Sequence, residues 1–198
     1  MNKNSIILLT IGAVLLITIL WGVSMYNGLV NKDEAVKAEW SNVENQYQRR
    51  ADLIPNLVAT VKGYATHESE TLEGVVAARA KATQVTVDAD NLTPEKLQKY
   101  QEIQGEVGSA LGRLMMITEN YPDLKANENF KDLQKELAGT ANRITSARKT
   151  FIDLSKEFNQ AIRTFPTNII ASMGGFEKKV YFEAEKDADK NPTVDFSK

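Results

Sequence analysis

The sequence contains no cysteine and a single histidine, His67. The first absence removes disulfides, thiolate metal sites and cysteine nucleophiles together. The second removes any zinc site built on several His or Cys ligands. It also removes a di-metal carboxylate centre, which needs Glu-x-x-His on each of two helices; His67 has Tyr64 at that offset. A Ser-His-Asp triad would have to use His67, and there is no Gly-x-Ser-x-Gly elbow to present its nucleophile. Phosphate-cradling Gly-x4-Gly-Lys-Ser/Thr and Gly-x-Gly-x-x-Gly loops are missing too. Charge of one sign is scarce: 24 basic against 26 acidic residues leave a net charge of −2. Whole-chain charge therefore points to no nucleic-acid partner. The acids alternate with Lys and Arg, as in KDEAVKAE and FKDLQKEL, which is i,i+4 lacing of solvent faces rather than a pair tuned for acid–base work. These absences predict a non-enzymatic protein with no catalytic residues, cofactor, metal or small-molecule substrate.

Five prolines and eleven glycines in 198 residues, with stretches rich in Ala, Leu, Glu, Lys and Gln, make a helical composition. The first long feature is apolar. No charge occurs between Lys3 and Lys32, and the Ser5–Val23 core suffices to cross roughly 30 Å of hydrocarbon as a helix. Trp21 and Tyr26 stand at its far end, where amphipathic rings favour the interface. The run exceeds a signal-peptide core, and Gly22-Val23-Ser24 makes a poor cleavage site. Residues 5–23 are read as an uncleaved single-pass anchor in the cell membrane. Basic residues flank both sides, so orientation stays open.

Beyond the anchor, Val36, Trp40, Val43, Tyr47, Arg50, Ile54, Leu57, Val61 and Tyr64 step by four and three alternately, a heptad seam. A second helix follows Gly63, capped by Thr66 or Ser69, with Leu72, Val75, Val76, Arg79 and Ala82 inward. VTVDADNLTPEK is a connector ending in the cap Thr93 and Pro94 at the first helical position. A third helix shows Tyr100, Ile103, Val107, Ala110, Leu114, Ile117 and Tyr121 on one face, and NYPDLKAN is a turn. In the last helix, Phe130, Leu137, Ile144, Phe151, Phe158 and Phe165 recur every seven residues up to Pro166. The fold class is all-α: a transmembrane helix followed by an antiparallel bundle of three to four long helices. Residues 1–29 form the anchor, 30–182 the bundle and 183–198 a charged, mobile tail.

Few polar features stand out. Gly105, Gly108 and Gly112 are read as small residues permitting close helix approach. Arg143 and Arg148 are read as a solvated flank, and His67 as a solvated residue. Arg50 and Arg79 fall on seams, where a guanidinium needs partners or costs several kcal/mol. They are either an internal ion-pair site or, with Asp52 and Asn56, a polar cleft for a partner. In RRADLIPNLV, Pro55 either starts a new helix or kinks a continuous one. The unbroken seam favours the kink, which frees the Ala51 carbonyl for side chains such as Arg50 or Asn56. Ile169, Ile170, Met173, Phe176, Tyr181 and Phe182 either cover the bundle end or form an exposed patch.

YNGLV (26–30), Trp40, RRADLIPNLVATVKGYATHE, AAR (77–79), YPDLKANENFKDLQKELAGTANRI, FPTNIIASMGGF, YFE and the terminal PTVDF run in an order that resembles the bacterial LemA family. One departure is Ala141, where that family's pattern favours an acid. The resemblance implies a short membrane helix followed by a helical bundle, and no established reaction, cofactor or ligand. It also implies associations with membrane proteases of the HtpX type and, in magnetic bacteria, with organelle membranes. Two functions are carried forward. One is a bundle that self-associates as a homo-oligomer and organises or supports the lipid bilayer, with a link to envelope stress. The other is an adaptor or sensor binding a membrane protease or envelope ligand.

Overall fold

The computed structural model describes residues 2–182. Six helices make up those residues: α1 (Lys3–Lys62), α2 (Ser69–Thr83), α3 (Pro94–Thr118), α4 (Pro122–Ala126), α5 (Glu128–Ala161) and α6 (Thr167–Met173), with a single 3-10 turn at Ala89–Asn91. No strand occurs among the described residues. The charged tail expected at 183–198 lies outside them.

α1 is one continuous helix of 60 residues that contains Pro55, so it extends for about 90 Å. Its first part holds an 18-residue stretch of mean hydropathy 2.7, none of it buried. From Leu29 onward it enters the bundle. There Val36, Trp40, Val43, Tyr47, Ala51, Ile54, Leu57 and Val61 are buried. Arg50 is half-buried and Tyr64 is exposed. Tyr64 lies past the last helical residue, so the seam's period no longer governs it. α1 packs against α5 and α2, and α2 packs against α3. Chain direction alternates: Arg79 of α2 lies at the level of Ala51, Gln104 of α3 at Arg50, and Glu157 of α5 at Lys32. The result is the antiparallel four-helix arrangement implied by heptad helices and short links.

The core divides into two clusters. The distal one, farther from the apolar stretch of α1, gathers Ile54, Leu57, Val61, Leu72, Val75, Ile103, Val107, Leu114, Leu124 and Phe130. The proximal one gathers Val36, Trp40, Val43, Tyr47, Leu97, Tyr100, Ile144, Phe151, Phe158 and Phe182. Trp40 anchors the latter, with ring centroids 5.5 Å from both Tyr100 and Phe151, while its indole N–H donates to the Val87 carbonyl at 2.8 Å. That bond ties the connector after α2 to α1.

Local chemistry explains most element boundaries. The Thr93 hydroxyl accepts from Lys96 N–H at 3.3 Å with Pro94 behind it, and the Asn127 side chain accepts from Phe130 N–H at 3.0 Å. α2 differs from expectation: neither Thr66 nor Ser69 caps it, since Ser69 is already helical and Glu68 occupies the cap position without a capping bond. Val76 also points outward, 48% exposed, because the two-helix contact of α2 buries only Leu72, Val75 and Ala82. NYPDLKAN contains α4, a single helical turn started by Pro122. α5 stops at Ala161, short of Pro166, and Phe165 is 77% exposed. Below Leu29, α1 has no further buried position for a continued α5 to cover.

The segment after α5, for which the sequence reading gave no helix, is ordered by the bundle. α6 forms beside α1, and residues 176–182 run back along the bundle as a strap. The buried Asn159 side chain clamps the strap by donating to the Lys179 carbonyl at 2.8 Å and accepting from Lys179 N–H at 2.7 Å. Phe182 then completes the proximal core against Trp40 and Phe151, at 5.9 and 5.6 Å. Asp33 pairs with both Lys179 of the strap and Lys37. Burial acts to raise its carboxyl pKa, but the hydrogen bonds from Lys179 and Lys37 outweigh this and hold it below the usual value.

Pro55 has no N–H, so the carbonyl of Ala51 loses its helical donor. Ala51 is buried, and Arg79 Nε donates to that carbonyl at 2.8 Å. The donor is therefore Arg79, from another helix, rather than Arg50 or Asn56.

Two outcomes follow from this fold. Arg79→Leu leaves a buried carbonyl unpaired, and the urea midpoint of the full chain in detergent should fall by the equivalent of about 1–3 kcal/mol. In a Pro55→Ala background the backbone itself supplies the donor, so the same substitution should cost markedly less; equal costs would contradict the assigned role. Asp33, with its folded pKa depressed, contributes stability above its unfolded pKa that is lost as pH falls through the folded value, below about pH 4. Amide exchange of residues 179–182 should therefore accelerate on acidification in the parent chain, and less steeply in Asp33→Asn.

Candidate functional site

The two cores meet at a polar layer. At its centre Arg50 reaches from α1 to α3, where Nη2 donates to the Gln104 carbonyl at 2.7 Å and to Gln104 Oε1 at 2.8 Å. The guanidinium carbon lies 5.1 Å from the Tyr47 ring centroid, a cation–π geometry. Gln104 is itself buried and also hydrogen-bonds Tyr100. Arg50 Nε is buried and without a hydrogen-bond partner. Burial pulls the guanidinium pKa down, opposed by electrostatic attraction from Tyr47 and Tyr100. Burial likewise pushes the Tyr100 hydroxyl pKa up, reinforced by Glu44 and Tyr47. Arg50 thus remains a cation held mainly by neutral acceptors, one side of it still short of a partner.

A groove of about 640 Å³ opens over this cation between α3 and α5. Tyr47 and Arg50 form its floor; Gln101, Gly105 and Gly108 stand on the α3 side, and Ala141, Thr145 and Arg148 on the α5 side. The glycines do not bring helices together as their spacing suggested. A Cβ at Gly105 or Gly112 would meet nothing within 4 Å, and one at Gly108 only the Arg50 Nη1, at 3.9 Å. Gly105 and Gly108 line the groove and keep its α3 wall low. Ala141, the departure from the family pattern, also lines the groove. A second depression of about 790 Å³ lies on the other flank of α3, but its Lys81 and Glu106 already pair at 2.7 Å.

Arg50 and Arg79 share the polar layer, each hydrogen-bonded to backbone or amide oxygen. Asp52 and Asn56 are exposed on α1. The Asp52 carboxylate accepts from Gln48 Nε2 at 2.8 Å. Arg143 bonds Glu136 Oε1 at 2.7 Å, and Arg49 bonds the same oxygen from α1. The hydrogen bond from Arg49, joined by that from Arg143, lowers the Glu136 pKa. Arg148 is not a solvated flank: its guanidinium carbon sits 4.5 Å from the Phe182 ring centroid. It therefore joins Arg50 on the groove, the two cations at opposite ends of the chain Tyr47, Tyr100, Trp40 and Phe182. Among the described residues no group of three or more His, Cys, Asp or Glu is placed to hold a metal. His67 is exposed. Chemically, the groove offers guanidinium donors to oxygen acceptors, with the Glu102 carboxylate and Ser109 also on its α3 side.

Sequence reasoning missed Gln104 and the place of Arg148 on the groove. The first had a signal, an amide directly beside the seam residue Ile103 and opposite the only charged residue on the α1 seam. The second had none, because its ring partner comes from the strap.

Gln104→Leu tests this layer. It strips two-point acceptance from a half-buried guanidinium, and stability should drop by about 1–3 kcal/mol in urea titrations. Arg50→Leu combined with Gln104→Leu should recover most of that loss, because an apolar pair leaves no orphaned charge. A double variant as unstable as the single would show that the pair is not the source.

The family model for the LemA family matches residues 39–196. The chain is 30% identical over 190 residues to the magnetosome protein MamQ of Magnetospirillum gryphiswaldense, an alignment covering 85% of this chain and 68% of the relative. It is 28% identical, with the same coverage of 85% and 68%, to the magnetosome protein MamQ 2 of Paramagnetospirillum magneticum. It is 25% identical over 160 residues to the protein LemA of Metamycoplasma hominis, covering 81% of this chain and 69% of that one.

Proposed function

The chain belongs to the LemA family, and from that premise we propose that it is a non-catalytic, membrane-anchored scaffold that self-associates and organises or supports the bilayer carrying it. That it is a membrane-associated helical protein follows from the family and from the long apolar helix. The single observation behind the finer reading is α1. One unbroken helix runs from the apolar stretch into the centre of the bundle, contacting both α2 and α5. With no flexible joint between anchor and bundle, each copy presents its bundle at a fixed attitude to the cell membrane. Such rigid posts, once they associate laterally, impose spacing and shape on the lipid between them. The open groove between α3 and α5 offers such an association a face that no described segment fills.

The test uses the full chain in vesicles. Cross-linking that yields oligomers in proportion to surface density, with altered vesicle shape by electron cryomicroscopy, is the expected result. A chain that stays monomeric at every density and leaves vesicles unchanged sinks the proposal.

A second reading is favoured by Arg50 Nε, buried and unpartnered beneath the groove. Here the groove receives an acidic or carbonyl-rich segment of a membrane partner such as a protease, and the protein acts as an adaptor. Arg50→Leu separates the two. Both readings expect lower melting from loss of the Gln104 bonds; under the scaffold reading assembly also weakens, whereas under the adaptor reading the protein stays folded and assembled but loses recovery of the partner from detergent extracts.

A further inference from the structure

α6 is seven residues long and packs against α1 at a defined height. A Cβ at Gly22 would lie 3.8 Å from Ile170 Cδ1, and Tyr26 meets the Phe176 ring at 5.5 Å. The turn that follows α6 is pressed so closely on α1 that position 174 has room only for glycine: a Cβ there would stand 2.8 Å from the Phe176 ring and 3.0 Å from that of Tyr26. Gly175 follows with φ 69°, a left-handed conformation that favours glycine. α6 is therefore fixed beside the last turns of the uncharged run that begins after Lys3 and ends at Lys32.

A ring of charge marks where the aqueous bundle begins. Lys32 pairs with Glu157 at 3.3 Å, Lys37 with Asp33 at 3.1 Å and with Asp90 at 2.6 Å, and Lys179 with Asp33. Gly22 and Tyr26 precede Lys32 by ten and six residues, which places α6 about 9–15 Å nearer the membrane than that ring. On α6, Ala171 is buried and Ile170 half-buried toward α1. The opposite face carries Ile169 and Met173, spaced four apart, with Phe165 in the preceding turn; they are 51%, 81% and 77% exposed. Three large apolar side chains, each at least half exposed, lie below the charged ring at the level of Gly22 and Tyr26, the depth where aromatic and apolar groups enter the headgroup–acyl boundary.

We propose that α6 and the turn before it are an interfacial foot of this protein, with Phe165, Ile169 and Met173 inserted into the same lipid leaflet from which α1 emerges. The occupant of the patch is lipid, because the patch is continuous with the lipid-facing surface of α1. The inference rests on the reading that residues 5–23 span the bilayer. With two attachments, the helix and the foot, the bundle cannot rotate or tip freely about the helix.

The cysteine-free sequence permits a direct test. The full chain in phosphatidylcholine–phosphatidylglycerol vesicles carries an environment-sensitive dye at Met173→Cys, at Val23→Cys as a lipid reference, or at Met116→Cys, an exposed position near the far end of α3. The expected result is loss of Met173-dye emission with shallow spin-labelled lipids, as for Val23, and no loss for Met116, which iodide quenches instead. Quenching of the Met173 dye by iodide alone, with the Val23 dye still in lipid, overturns the foot and leaves the anchor standing. Shielding of the Met173 dye from both quenchers assigns the patch to protein, a second copy included, and also overturns it. A Val23 dye that lipid spin labels fail to quench removes the anchor, and the foot falls with it.

Discussion

Continuity of the first helix through Pro55 is the constraint on which the rest of the architecture depends. A proline in a helix interior removes one hydrogen bond and crowds the preceding turn, and here it lies in the helix that runs from the apolar stretch into the bundle. The freed Ala51 carbonyl is buried, so water cannot satisfy it. The bond from Arg79 does so and in the same stroke fixes where α2 lies along α1. α3 then packs on α2, and its position fixes the height of Gln104 against Arg50. A local defect in one helix has become the register mark for two others.

The layer containing that mark also partitions the core. Apolar side chains pack above and below it, in the distal and proximal clusters, while two guanidiniums and an amide occupy the level between. Polar groups at such a level disfavour sliding of one helix past another, since any shift would bury an unpaired charge. The groove between α3 and α5 opens at the same height, because α3 leans on α2 and its glycines leave the far wall bare. Stability, register and the candidate site therefore share one set of residues.

The apolar stretch of α1 and the seams of the long helices were legible in the sequence because they follow simple rules: an uninterrupted apolar run, and a spacing of four and three. Arg50 and Arg79 were legible as polar residues on those seams. Their acceptors were not, because a backbone carbonyl released by a proline and an amide on another helix leave no mark in linear spacing. The heptad of phenylalanines ran one step too far to Phe165, since periodicity cannot tell where a neighbouring helix stops offering a surface. α6 and the strap were hidden for a different reason. Seven residues are too few to display a helical period, and the strap owes its place to Asn159 and Phe182, whose partners are distant in sequence.

The length of α1 has a metric consequence. Arg50 lies 27 residues beyond Val23, so with residues 5–23 across the bilayer, as proposed, an upright helix sets the polar layer about 40 Å above the hydrocarbon edge. On the proposed anchoring the helix acts as a ruler: a membrane-bound partner that used the groove would have to carry its complementary surface at that altitude.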